Sequence, residues 1–345
     1  MKKTGLFILI LISLYGTGFA DGFTNDFSKG PLYGKNMYIP YLIHYHLPAL
    51  PARSGRQYDL QFDLINYLAQ DILIFIPDEA IIPPGRNYNR NYIAIDYEVY
   101  AAELGISYNI LDELQLGVNF RFFSFSGGFL DSFIESFHNL FDFPGGGREY
   151  IEQNRIHINI PNNNGLKLYL DKAAVSMGDT DLWGKWTFFE NNTVSLAALS
   201  AFKVPTGALE KLSGSNYPDI ALGLLFDWRI AAYCTLYTHA GLVVPFNGKS
   251  FPMFNGMFGA EIHPWELISF IVQMNIKTSP IADDTSPGAI EYKLSLPQTN
   301  ILGGLVVRFN KTRMQIYFEQ DAFTYRGADI TFGFMVSHTV TLPKR

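Results

Sequence analysis

Apolar and polar positions alternate with a period of two through most of this chain. In residues 57–64, Tyr58, Leu60, Phe62 and Leu64 share one face while Gln57, Asp59, Gln61 and Asp63 share the other, because successive strand side chains point to opposite sides. Leu114, Leu116, Val118, Phe120 and Phe122 oppose Glu113, Gln115, Asn119 and Arg121 in the same way. Ile220, Leu222, Leu224, Phe226 and Trp228 oppose Asp227 and Arg229, and Met314, Ile316 and Phe318 oppose Arg313, Gln315, Tyr317, Glu319 and Asp321. The pattern predicts about twelve strands, near 57–69, 92–108, 112–125, 179–190, 193–204, 219–229, 233–244, 253–263, 266–277, 299–309, 313–322 and 328–341. Residues 36–47, NMYIPYLIHYHL, read either as a further strand, taking the count toward fourteen, or as part of an amino-terminal segment that enters the interior.

One stretch breaks the alternation. In SGGFLDSFIESFHNLFDFPGGGRE the apolar residues recur at three and four, and Phe129, Leu130, Phe133, Ile134, Phe137, Leu140 and Phe141 fall within roughly 140° of one helical face. Asp131, Glu135, His138, Asn139 and Asp142 fall opposite, and glycines 127–128 and 145–147 fence the segment. This predicts a short amphipathic helix at 129–142, inside an insert at 127–150, in the long loop after the third strand. Its apolar side is expected to pack on the barrel and its polar side to face water.

Alternation alone fits a soluble sandwich as well as a membrane barrel. Strand length favours the barrel, since about ten residues are what a tilted strand needs to cross a bilayer. Loop order favours it further. Short connections near 110, 191, 229, 264 and 311 alternate with long ones at 70–91, 127–178, 205–218, 245–252 and 278–298, as in barrels with short periplasmic turns and longer extracellular loops. The amino terminus agrees: Lys2 and Lys3 precede the apolar run GLFILILISLY and the small residues of GTGFA, the layout of a signal peptide cleaved near Ala20. The division expected is a signal peptide at 1–20, a segment at 21–56 entering the lumen, and an all-β, antiparallel transmembrane barrel at 57–345.

Composition narrows the partners. The formal net charge is −6, and two units more negative once Lys2 and Lys3 leave with the signal, which excludes a nucleic-acid partner that demands a basic face. Aromatics make up 15% of the chain, with 29 Phe and 20 Tyr, abundant for an exported protein, and no stretch after the signal has the length and apolarity of a membrane helix, so a bilayer would be crossed by strands. The single Cys234 makes no internal disulfide. The partners expected are outer-membrane lipid, the barrel assembly machinery, and a small solute or lipid as cargo.

The blocks RQYDLQFDLINYLA, DYEVYAAELGISYNILDELQLGVNF, GDTDLWGKW, KVPTG and SGSNYPDIALGLL, taken with the helix block, resemble an uncharacterised bacterial outer-membrane β-barrel family, domain of unknown function 3187. The resemblance spans most of the mature chain and implies an exported barrel in the outer membrane of a Gram-negative-type bacterium. It implies no activity. The chain ends TLPKR rather than in the aromatic residue that many such barrels present for assembly, with Phe332 and Phe334 lying further back.

Charge on the alternating strands marks the candidate pore lining: Asp63, Asp96, Glu98, Arg121, Lys185, Asp227, Arg229, Glu261, Arg308, Arg313 and Glu319. The lipid face would penalise a basic side chain by about 2–4 kcal/mol near mid-membrane, so these are assigned to the lumen. Asp131, Glu135, His138 and Arg148 are the candidate plug residues. The spacing of Asp131, Glu135 and His138 on one face also suits acid–base chemistry or a divalent metal, although such a trio is equally the wet side of an ordinary amphipathic helix. SGSNYPD lacks the strand-to-helix elbow of a serine nucleophile, and GGG at 145–147 lacks the Lys-Ser/Thr of a phosphate loop. No catalytic motif, cofactor or metal site is assigned. The function expected is a channel or transporter with a helical plug or lid; the alternatives are an outer-membrane lipid-modifying enzyme and a closed structural or interaction barrel.

Overall fold

The computed structural model describes residues 28–75, 93–141, 152–160, 167–281, 295–322 and 327–344. The expected signal peptide and Arg148 lie outside the described residues. The strands are β1 (Asp59–Phe75), β2 (Ile93–Asn109), β3 (Leu114–Ser126), β4 (His157–Ile160), β5 (Leu168–Leu170), β6 (Ala174–Met177), β7 (Thr180–Glu190), β8 (Val194–Val204), β9 (Asp219–Ala231), β10 (Cys234–Pro245), β11 (Met253–Ile262), β12 (Ile268–Lys277), β13 (Gln298–Phe309), β14 (Thr312–Asp321) and β15 (Ile330–Thr341). Helix α1 (Leu130–Phe141) follows β3.

All pairings are antiparallel, and the ring closes where β1 meets β15, with Asp59 opposite Thr341 and Gln70 opposite Ile330. Apart from the short β4, β5 and β6, the strands form a closed barrel of twelve. Closure pairs every strand on both sides, leaving no edge for lipid to meet. β4 and β5 extend the sheet from the long-loop end of β2, and β6 pairs with the corresponding end of β3.

The outward side chains are an apolar belt. Leu64, Leu104, Leu222, Leu224, Phe258, Val272, Ile316 and Phe334 are exposed on it. Trp186, Phe188 and Trp228 stand near the short-turn end, and Phe202, Phe254 and Phe318 near the long-loop end. Aromatic girdles flanking an aliphatic band are what the two interfaces of a membrane select.

Residues 36–47 add no strand. Residues 28–56 instead run inside the barrel, almost wholly buried through residue 52, with one turn of 3-10 helix at Tyr41–Ile43. Lys29 lies at the short-turn end, where its ammonium donates to the Trp265 carbonyl. Asn36 reaches the start of β13 by donating to Gln298, and Ser54 is back beside the β7–β8 turn, its N–H donating to Glu190. The segment therefore rises through the lumen and returns. Its Leu32, Met37, Ile39, Leu42 and Ile43 pack against inward Tyr67, Tyr97, Phe123, Leu225, Leu302 and Tyr317 as one apolar core.

Candidate functional site

The lumen and the segment within it form the candidate site. Outside any ladder, the segment's buried backbone groups still need partners, and inward barrel side chains supply them. The Glu261 carboxylate accepts from the Lys29 N–H at 2.8 Å, and the Asp219 and Asp227 carboxylates accept from the N–H groups of Tyr45 and Ala52 at 2.8 Å each. Two glutamines clasp the chain on both sides of the peptide. Gln273 accepts from Leu32 N–H and donates to Leu32 C=O, while Gln315 accepts from Tyr33 N–H and donates to Pro31 C=O.

On the wall formed by β2, β3 and β7–β9, charges fix the segment. The Lys35 ammonium lies 2.5 Å from Glu103 and 3.8 Å from Asp181, and Arg121 holds Asp181 at 3.0 Å. The Tyr33 hydroxyl donates to Glu103. Higher up, Lys203 lies 2.6 Å from Asp179 and 3.4 Å from Asp219, and it donates to the Ile43 carbonyl. His44 stands 3.5 Å from Asp219. All of these side chains are buried, so each charge depends on its neighbours rather than on water.

The opposite wall, β10–β14, is different. A cavity of about 40 Å³ lies there, bounded by Gly34, Asn36, Leu47 and Ala49 of the segment and by His239, Asn255, Asn275, Lys277, Asn300 and Glu319 among the wall residues. Lys277 Nζ is 2.5 Å from His46 Nδ1, whose other ring nitrogen donates to the Tyr41 carbonyl.

The residues singled out from sequence fall into three groups. Asp63, Arg121, Lys185, Asp227, Arg229, Glu261, Arg308, Arg313 and Glu319 stand on the inward face of their strands, and several hold the segment directly. Lys185 donates to the Pro51 and Arg53 carbonyls, Arg308 to Ser28, and Arg313 to Lys29. Asp96 and Glu98 are a correction. They alternate with inward Tyr97 and Val99, opposite in parity to Glu103, and so belong to the outer face. They are buried there. Glu98 accepts from the N–H groups of Phe129 and Leu130 at the start of α1.

The helix is also placed differently. Gln70, directly across from Glu98 in the β1–β2 ladder, donates to Asp131 at 2.8 Å, and Asp131 also accepts from the Asn154 N–H. The first turn of α1 thus docks on the outside of the barrel wall, and Asp131 is buried instead of facing water. Glu135 is half-buried and accepts from Gln153. The His138 side chain lies outside the described residues. Leu130 and Ile134 are buried, but Phe129, Phe133 and Leu140 are exposed, so only part of the apolar arc packs on the protein.

Sequence reasoning missed Lys35, Glu103, Asp179, Asp181, Lys203 and Asp219. Part of their signal was present: Asp181 and Asp219 share inward parity with Lys185 and Asp227 on their own strands, whereas Glu103 and Lys203 are placed inward by the ladder, opposite Arg121 and Asp181. Among the described residues, no group of three or more His, Cys, Asp or Glu side chains could hold a metal ion.

The fold is that of known outer-membrane channels. The COG4313 outer membrane channel from Pseudomonas putida F1 superposes with a TM-score of 0.50 at 10% identity, covering 83% of this chain and 97% of that one. The KdgM porin matches at 0.43 with 9% identity, covering 81% and 99%, and the Pseudomonas putida toluene transporter TodX at 0.39 with 9% identity, covering 91% and 99%. No curated protein matches the sequence. The family model described as protein of unknown function DUF3187 matches residues 87–335, and the chain belongs to that family of outer-membrane β-barrels.

Proposed function

We propose that this protein is an outer-membrane channel for small solutes, closed at rest by its own residues 28–54 and opened when they are displaced. One observation carries the reading. Among the described residues, no backbone hydrogen bond joins 28–54 to a barrel strand; the segment is held by side chains, while the ladder closes without it. Removing the segment therefore breaks no strand pairing. The inward face it would uncover is rich in Asp, Glu, Lys, Arg, Asn and Gln, the lining of an aqueous path.

In this reading the mature chain begins near Asp21, the barrel assembly machinery inserts it, and the apolar belt meets outer-membrane lipid. The enzymatic alternative is disfavoured because Asp131, the first member of the acid–base trio, is committed to Gln70 and Asn154. The test is recording of the full chain in planar bilayers. Brief unitary openings from a closed baseline are expected. A folded, heat-modifiable barrel that never opens under voltage refutes the channel.

A further inference from the structure

We infer that the cavity between the luminal segment and the β10–β14 wall is a binding site for neutral polar solutes bearing hydroxyl or amide groups. This rests on the channel reading only for its role as a station on the path; the site itself is tested by binding. Four buried polar atoms on or beside the cavity wall have no partner: His239 Nε2, Gln298 Nε2, Asn300 Oδ1 and Glu319 Oε2. The four residues are 8%, 1%, 5% and 2% exposed. Buried polar groups are normally satisfied, and the cavity has room for roughly three water molecules or a small solute in their place.

The chemistry of the wall selects the guest. An apolar guest would leave all four atoms unpaired. The wall carries one ammonium and one carboxylate, Lys277 and Glu319, so their charges offset each other and give neither a cation nor an anion a net attraction. The Gln298 amide offers N–H donors, while Asn300 Oδ1 and Glu319 Oε2 offer acceptors. Donors and acceptors side by side match a hydroxyl or a primary amide, which can do both. The opposite wall spends its charges on Lys35, Ile43 and His44 of the segment, so the β10–β14 side is where a solute fits without first breaking an ion pair.

The test uses the full chain with Cys234→Ser and Met257→Cys, a lining position that carries none of the four polar atoms, labelled with methyl methanethiosulfonate. Glycerol or urea at twice its dissociation constant should slow labelling about threefold. Sodium chloride at equal osmolality should not, nor should either solute slow labelling of Ser337→Cys, which is buried on β15 away from the cavity. Equal slowing at both positions, equal slowing by salt, or no protection at Met257→Cys overturns the site. Protection in a chain that never conducts keeps the site and sinks the channel.

A separate observation concerns helix α1, which we propose lies in the outer-leaflet lipid interface as an anchor on the outside of the barrel. Glu98, which caps its first turn, is two residues from Tyr100 on the same outward face of β2, a rise of about 7 Å. Tyr100 and Phe122 are exposed there as part of the lipid-facing belt. Val175 and Met177 of β6, paired with Ser124 and Phe122, continue it toward the helix level. Phe129, Phe133 and Leu140, 52–77% exposed, point away from the side buried against the wall. An apolar stripe continuous with the belt has lipid as its matching partner.

A fluorophore on Phe133→Cys in the Cys234→Ser chain, in phosphatidylcholine–phosphatidylglycerol vesicles, should be quenched by lipid spin-labelled near the headgroup. The same label on Glu152→Cys, an exposed loop position, should be quenched by aqueous iodide instead. Iodide quenching at Phe133→Cys, or shielding from both quenchers by a protein partner such as a second copy, overturns the anchor.

Discussion

Replacing Lys35 by Met tests whether the ion pairs hold the segment in place. The ammonium lies 2.5 Å from Glu103 and 3.8 Å from Asp181, and all three groups are buried. Removing one partner of a buried pair costs about 3–5 kcal/mol, because the remaining charge stays desolvated. Asp181 keeps Arg121 at 3.0 Å and Glu103 keeps the Tyr33 hydroxyl, which places the cost near the lower end, about 3 kcal/mol. Displacing the segment lets water reach the stranded carboxylates, so the penalty falls on the closed state. About 3 kcal/mol corresponds to roughly a 150-fold shift toward the open state. The assay is open probability in planar bilayers, with unboiled gel mobility confirming a folded barrel. Lys35→Met with Glu103→Met should recover most of the closure, since an apolar pair leaves no stranded charge between them. A folded Lys35→Met barrel with the open probability of the parent refutes the reasoning.

Arg at Leu222, Phe226 or Ile316 should reduce the yield of heat-modifiable barrel, at about 2–4 kcal/mol per charge near mid-membrane, whereas Arg229→Gln and Glu319→Gln should assemble normally; equal yields would contradict the inside and outside assignment. Gly333→Ala should lower the unfolding temperature, since an added Cβ would sit 2.0 Å from the Tyr317 ring. It should also loosen the segment, because the Tyr317 hydroxyl donates to the Tyr33 carbonyl. An unchanged melting curve would contradict this. Asp131→Ala should speed amide hydrogen exchange at Asn154 and across the first turn of α1 while leaving conductance as in the parent, since it unties the helix from Gln70 on the outer wall; a conductance change would return the helix to the lumen.

The strands were legible because one face meets lipid and the other a polar interior, so alternation reports orientation directly. Leu222, Leu224 and Phe226 beside Asp227 is such a case. The luminal segment was less legible for the opposite reason. NMYIPYLIHYHL is buried on every side, so apolar residues occupy both parities and no face can be read. Asp96 and Glu98 mislead because charge on an alternating strand reads as lumen, whereas both are buried on the outer face, Glu98 where it caps the start of α1 and Asp96 where β2 pairs with β4. The helix itself was plain from its periodicity, but its docking depends on a Gln70–Glu98 pairing between strands that periodicity does not register. Lys203 sits at a strand end, within KVPTG, where the alternation stops, and its inward direction comes from the ladder, opposite Asp181 and Asp219.

The central claim is that residues 28–54 close an otherwise continuous path, and single-channel recording of the chain lacking those residues tests it most directly. The barrel ladder does not involve them, so the shortened chain should still run as a heat-modifiable barrel. It should conduct steadily at the unitary size of the full chain's brief openings, and a synthetic peptide of residues 28–54 should block it. A folded, shortened barrel that conducts no more than the full chain would contradict the account.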